Sequence, residues 1–268
     1  MNTNSVSTLM PVVYIPHGGG PMPLLGDDQH KELIAFLANL HKDIKNSAAQ
    51  PTAILIISAH WEENEVTLTS SDSPSMIYDY GGFPQETYEY QYPAAGHPKL
   101  ANQVMALLKS NGINSKLDAT RGFDHGTFVP LMLMYPKAQI PVVQMSLLRS
   151  LDPAQHIKIG EVLSTLRQQG VLIVGSGMSF HNFSGSKQNS IIFDDWLTNT
   201  MTNNDLEKTK QDLINWAEAP SGRESHAREE HLLPLHVCFG VVYNNQQPAE
   251  KIFDSFLYDK KISAFIWY

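Results

Sequence analysis

Eleven histidines stand among the 268 residues, and their neighbours are more informative than their number. His17 lies between Pro16 and Gly18-Gly19-Gly20, and His60 between Ala59 and Trp61. His125 lies between Asp124 and Gly126, His181 closes GSGMSFH, and His231 follows Glu230 in REEHLLPL. Packing alone does not ask for an imidazole beside a glycine or at the end of an apolar run. Imidazole binds Zn, Fe, Ni or Cu, and near neutral pH it gives or takes protons. None of these histidines has close ligand spacing such as HExxH, so a metal would be gripped by segments far apart in the chain. Three protein ligands with open positions describe a catalytic site, since structural sites close their coordination shell. The remaining histidines would then serve as acid and base.

The other histidines read differently. His30, His41 and His156 lie on helical segments and read as surface residues, and His97 before Pro98 reads as a helix-start residue. His226 competes with His231 for a place in the site. His236, five positions beyond His231, does not share its helix face and reads as packing.

The elements that must position these groups follow a repeated pattern. Val12, Val13, Tyr14 and Ile15 form a short buried strand that Pro16 ends, and His17 stands at its C-terminal lip. The apolar run 53–58 (AILIIS) reads as a strand covered on both faces, with His60 just beyond it. Residues 171–174 read as a third strand, running through a glycine turn to His181. Further strands are expected over 66–70, 140–146 and 262–268, the last preceded by segment 251–258. Helices are expected over 27–45, 99–110, 153–169, 191–202 and 205–217, after His125, and from near His231. Segment 73–98 is irregular and rich in Tyr, Gly and Pro, and it reads as a wall or lid over the site. Alternating strands and helices argue for one α/β domain over 1–268, with a central, largely parallel (mixed) sheet and helices on both faces. Ligands of such sheets collect outside the carboxyl ends of the strands.

Composition narrows the function further. Hydrophobic residues make up 42% and charged residues 17%, with a net charge of −8. The acidic balance, with a pI near 5.7, argues against nucleic acid or an anionic membrane surface as partner. Cys238 is the single cysteine, which excludes an internal disulfide and suits a reducing cytoplasm. Residues 1–10 are polar without basic residues and do not read as a signal peptide, and 2–8 read as a loose leader. No apolar stretch reaches the roughly 20 residues of a membrane span. The GSG turn lacks the third glycine of a dinucleotide fingerprint.

The set PHGGGPMP, SAHW, YDYGGFP, GFDHGTFVPL, GSGMSFHNF and REEHLLPL, in this order from residue 12 to 240, resembles the class III (LigB-like) extradiol ring-cleavage dioxygenases. Within them it is most similar to the 4,5-DOPA extradiol dioxygenase branch. The resemblance implies that His17, His60 and His231 bind the metal. It implies that His181 is the acid–base residue, in some members counted with the ligands, and that His125 contacts substrate. The common non-haem Fe(II) site has two histidines and one carboxylate. Here the third place is His231, with Glu230 adjacent, so the neutral set would hold Zn(II) as readily as Fe(II), and zinc has no redox chemistry. The implied substrates are a catechol and O2, with Trp61, Tyr80 and Phe83 as candidate walls around the ring. Two other readings compete: a metal-binding protein of the related Memo type without oxygenase activity, and a zinc hydrolase.

Overall fold

The computed structural model describes residues 9–48, 50–245 and 247–268; the leader expected over 2–8 lies outside them. One eight-stranded sheet runs in the order β4-β3-β5-β2-β6-β1-β8-β7. Its strands are β1 (Val12–Pro16), β2 (Ala53–Glu63), β3 (Val66–Thr69), β4 (Ser115–Asp118), β5 (Val142–Leu148), β6 (Val171–Gly177), β7 (Glu250–Leu257) and β8 (Lys260–Trp267). The centre is parallel, with β6 between β1 and β2 and β2 also beside β5. Antiparallel pairs join β3 to β5, β1 to β8 and β8 to β7. The sheet is therefore mixed, parallel where the site lies, with antiparallel pairs on either side and a parallel β3–β4 pair at one edge.

Alternation along the central strands feeds two cores. Val12, Tyr14, Leu55 and Ile57 face one layer, and Val13, Ile15, Ile54 and Ile56 face the other. The second layer contains α1 (Lys31–Ser47) and α3 (His125–Met134), packed through Leu33, Leu37, Phe128 and Leu131. The first contains α2 (Pro98–Ser110), α4 (Pro153–Leu163), α5 (Lys187–Met201), α6 (Leu206–Ile214) and α8 (Leu233–Tyr243). A one-turn helix, α7 (Gly222–Ser225), precedes His226. No helix among the described residues is long and apolar enough to cross a membrane.

Several boundaries differ from the sequence expectation. The helix expected over 153–169 ends at Leu163 and tightens into a 3-10 segment, Ser164–Gln169, that stops at Gly170 in the left-handed region. Helix α5 starts at Lys187, where Ser186 Oγ accepts the Asn189 N–H. Strand β4 carries only Ser115–Asp118 at the sheet edge, too short for a hydrophobic pattern to announce it. His30 and His156 are not surface residues; both are fully buried. Their helices bury the face that carries them, because each ring is bonded to backbone. His156 Nε2 accepts the Leu148 N–H at 3.1 Å, and its Nδ1 donates to the Asp152 carbonyl at 2.7 Å. His97 does start α2, accepting the Leu100 N–H, and His236 is a core residue bonded to the Leu213 and Leu232 carbonyls.

Candidate active site

Three chain segments meet at the carboxyl ends of β1, β2 and β6. His17 follows β1, and its N–H bonds the Gly177 carbonyl at the end of β6. Gly18 then turns the chain at φ +83°, where a Cβ would stand 2.6 Å from Pro23 and 2.9 Å from the His30 ring. His30 fixes this loop: its Nδ1–H donates to Asp27 at 2.7 Å, leaving Nε2 to accept the Gly19 N–H at 3.0 Å. His60 lies on β2, where the pairing with β5 shifts register between Ile57 and Glu62. His231 precedes α8. Its carbonyl accepts the Tyr14 hydroxyl at 2.9 Å and the Met178 N–H at 3.0 Å. Gly177 permits that approach, since a Cβ there would stand 2.1 Å from the His231 carbonyl oxygen.

The outer nitrogens of two of the three rings are held by a hydrogen-bond acceptor. Ser176 Oγ gives its one proton to the Gly126 carbonyl, so it accepts from His17 Nδ1, 3.1 Å away. His231 Nδ1–H donates to Glu230 at 2.9 Å, and His60 Nδ1 faces Asp79 at 3.7 Å. The contacts of His17 and His231 leave their Nε2 lone pairs free, and acceptors behind the rings are what metal-binding histidines use to fix tautomer and direction. The nitrogens of His17, His60 and His231 form one cluster, all within 4.8 Å. The Nε2 atoms of His17 and His60 are 3.1 Å apart. Ligand nitrogens about 2.1 Å from a common ion stand about 3.0–3.4 Å apart at octahedral or tetrahedral angles, so the pair fits a shared metal.

Electrostatics agree with that donor set. Burial lowers the pKa of His17 and His60 well below the ordinary value, and the neighbouring imidazoles lower both further. Burial also brings His231 down to about 4, against the opposing hydrogen bond to Glu230. Neutral imidazole is the form that binds a metal. Burial pushes the Glu230 carboxyl up, but hydrogen bonds from His181 and His231 outweigh it and hold the group well below the usual carboxylate range. The same balance, with His125 as donor, keeps Asp79 ionised. Two other groupings carry a carboxylate, His60–Asp79–His125 and His181–Glu230–His231. In both, the carboxylate faces Nδ1 atoms and is occupied in orienting rings.

His125 and His181 flank this cluster. His125 opens α3 behind its N-cap Asp124, and both its backbone N–H and its Nδ1–H donate to Asp79 Oδ1, at 2.9 and 2.8 Å. His181 lies with its ring 3.4 Å from that of His231, nearly parallel, and its Nδ1 is 3.5 Å from Glu230. His226 does not join them: it is fully buried, and its Nε2 pairs with the Ser179 carbonyl at 3.0 Å.

A cavity of about 600 Å³ opens over the five histidines His17, His60, His125, His181 and His231. Tyr80 and Phe83, from segment 73–98, form one wall with their rings edge to face at 5.5 Å. That segment is a fixed wall. The Tyr80 hydroxyl donates to the Thr87 carbonyl and that of Tyr78 to the Tyr90 carbonyl, each at 2.6 Å. The Tyr80 hydroxyl is thus committed away from the cavity. Trp61 does not line the cavity. Neighbours on a strand project to opposite faces, so the residue after His60 turns away; its indole lies under Arg121 and bonds Glu63. Asp79, Ser176 and Glu230 support the site without having been singled out for that role from the sequence. Met178, Phe180 and the β7–β8 hairpin also line the cavity and had no signal in the motifs.

The chain belongs to the LigB family: the pattern of the catalytic LigB subunit of aromatic ring-opening dioxygenase matches residues 11–265. Within that family its relatives include extradiol enzymes. It is 39% identical over 250 residues to a 4,5-DOPA dioxygenase extradiol of Beta vulgaris, covering 90% of each chain. It is 38% identical over 261 residues to the dioxygenase tasH of Hapsidospora irregularis, covering 89% of this chain and 80% of that one. A crystal structure of an uncharacterized Escherichia coli protein superposes with a TM-score of 0.76 at 28% identity, over 96% of this chain and 99% of that chain.

Proposed function

We propose that this chain acts as a single catalytic domain that opens the ring of a DOPA-like catechol with O2, cleaving beside the two hydroxyls. His17, His60 and His231 would hold the metal, Fe(II) in the active form, with Zn(II) able to take the same neutral imidazoles. Fe(II) would supply the one-electron chemistry that lets a closed-shell catechol react with O2. The observation that carries this reading is the convergence of the nitrogens of His17, His60 and His231 under a cavity walled by aromatic rings.

The chain's own residues do the rest. Tyr80 and Phe83 pack against the substrate ring from one side and exclude water there. His125, with its Nδ1–H committed to Asp79, presents Nε2 as a base for one catechol hydroxyl. His181, whose Nδ1 faces Glu230, offers Nε2 as the second base. The carboxylates of Asp79 and Glu230 stand behind these two rings and orient them. His181 then returns its proton as the O–O bond breaks. Both oxygen atoms enter the ring-opened product, one in a carboxylate and one in a carbonyl, and no external reductant is consumed.

The test is oxygen uptake and product absorbance over a panel of catechols after anaerobic loading with Fe(II). Turnover of at least one catechol, with both atoms of labelled O2 in the product, is expected. No turnover across the panel with bound Fe(II) verified would overturn the reading.

A further inference from the structure

We propose that Lys260 reads a carboxylate on the substituent of the bound ring and so sets which catechols this enzyme prefers. This rests on the catechol reading for what occupies the cavity, and it adds the charge of the substituent. Among the described residues that line the cavity, Lys260 is the only Lys, Arg, Asp or Glu.

The hairpin commits its other lysines elsewhere. Lys251 bridges Asp194 at 2.7 Å and Asp254 at 3.1 Å, and Lys261 is paired with Asp254. Lys260 forms no ion pair and no side-chain hydrogen bond among the described residues, although it is half-buried. Around it, Leu257, Ile262, Met178 and Phe180 form an apolar patch. An ammonium next to an apolar surface attracts an anion more strongly than one in open water.

The hairpin tip is also held still. Tyr258 and Asp259 both have positive φ, +47° and +65°. Such a turn favours Asn-Gly, and a bulky Tyr there is strained. The Tyr258 ring is braced edge to face on His30 at 5.3 Å, the same His30 that fixes the Gly19 loop. Lys260 therefore follows a tip packed against the His30 ring that fixes the Gly19 loop, and it lines the same cavity as the five histidines, Tyr80 and Phe83.

The experiment compares 3-(3,4-dihydroxyphenyl)propionate with its primary amide, as KM ratios in the Fe(II)-loaded enzyme. In parallel, calorimetry compares 3-phenylpropionate with 3-phenylpropanamide, which needs no turnover. Wild type is expected to favour the acid of each pair, and Lys260→Gln to cut that preference about tenfold or more. Lys260→Arg should restore most of it. An acid-to-amide ratio unchanged by Lys260→Gln, or changed equally by Lys260→Arg, would overturn the proposal. If no catechol turns over, the dioxygenase reading falls, and the binding pair still decides the role of Lys260.

Discussion

His17 Nε2 and His60 Nε2 stand 3.1 Å apart, the separation that two ligands of one ion would have. Replacing His60 by Ala is expected to strip the purified protein of metal while leaving its thermal unfolding cooperative. Elemental analysis beside calorimetry checks this, and full metal retention would contradict it.

Ser176 reaches the proposed metal site through His17, whose Nδ1 lies 3.1 Å from its hydroxyl. Ser176→Ala removes the acceptor that fixes the His17 tautomer, and metal affinity should fall about 10–100-fold, as for other outer-shell partners. Competition with a chromophoric chelator measures the change. A loss of stability without a loss of affinity would show that the hydroxyl serves only the Gly126 carbonyl.

Glu230 faces both His181 and His231. Glu230→Gln keeps the shape and removes the charge that supports both rings. We expect kcat to fall about 10–100-fold with weaker metal retention. Asp79→Asn should lower kcat while leaving metal content nearer to wild type, since its short bond is to His125 and its contact to His60 is 3.7 Å. The contrast between the two variants in kcat and metal content is the measurement.

Acid should destabilise the fold through buried histidines that the reaction does not use. Burial lowers the pKa of His156 from 6.5 to about 4. The unfolded chain takes up a proton below pH 6.5 that the folded chain refuses until about pH 4. Its contribution is therefore complete above pH 6.5 and is lost as pH falls through that window. At about 1.4 kcal/mol per pKa unit, this one ring accounts for roughly 3 kcal/mol of acid sensitivity. Urea unfolding at pH 7, 5 and 4 should show a flatter decline in His156→Gln than in wild type.

Gly18→Ala should destabilise by about 1–3 kcal/mol, because φ +83° and a 2.6 Å approach to Pro23 both oppose a Cβ. If the loop yields, the loss will appear in metal affinity as well as in the unfolding midpoint.

Much of this site was legible because each chemical group follows a recognisable element. A buried strand and then a histidine recurs at His17, His60 and His181, and His125 opens a helix behind an acidic cap. The supporting atoms were not legible, because they are remote in sequence: Ser176 is 159 residues from His17, and Asp79 is 46 from His125. His30 and His156 were misread because a ring among charged neighbours on a helix resembles a surface residue. Only the fold reveals the backbone N–H that each accepts. Trp61 failed for a local reason, the reversal of facing between consecutive strand residues. Lys260 belongs to an ordinary-looking hairpin, and its lack of a counter-charge depends on where the other lysines of that hairpin find theirs.

The three converging imidazoles come from positions 17, 60 and 231. On the proposed metal site, a chain still leaving the ribosome has made the first two ligands long before the third, so the full set of three would form only late in synthesis.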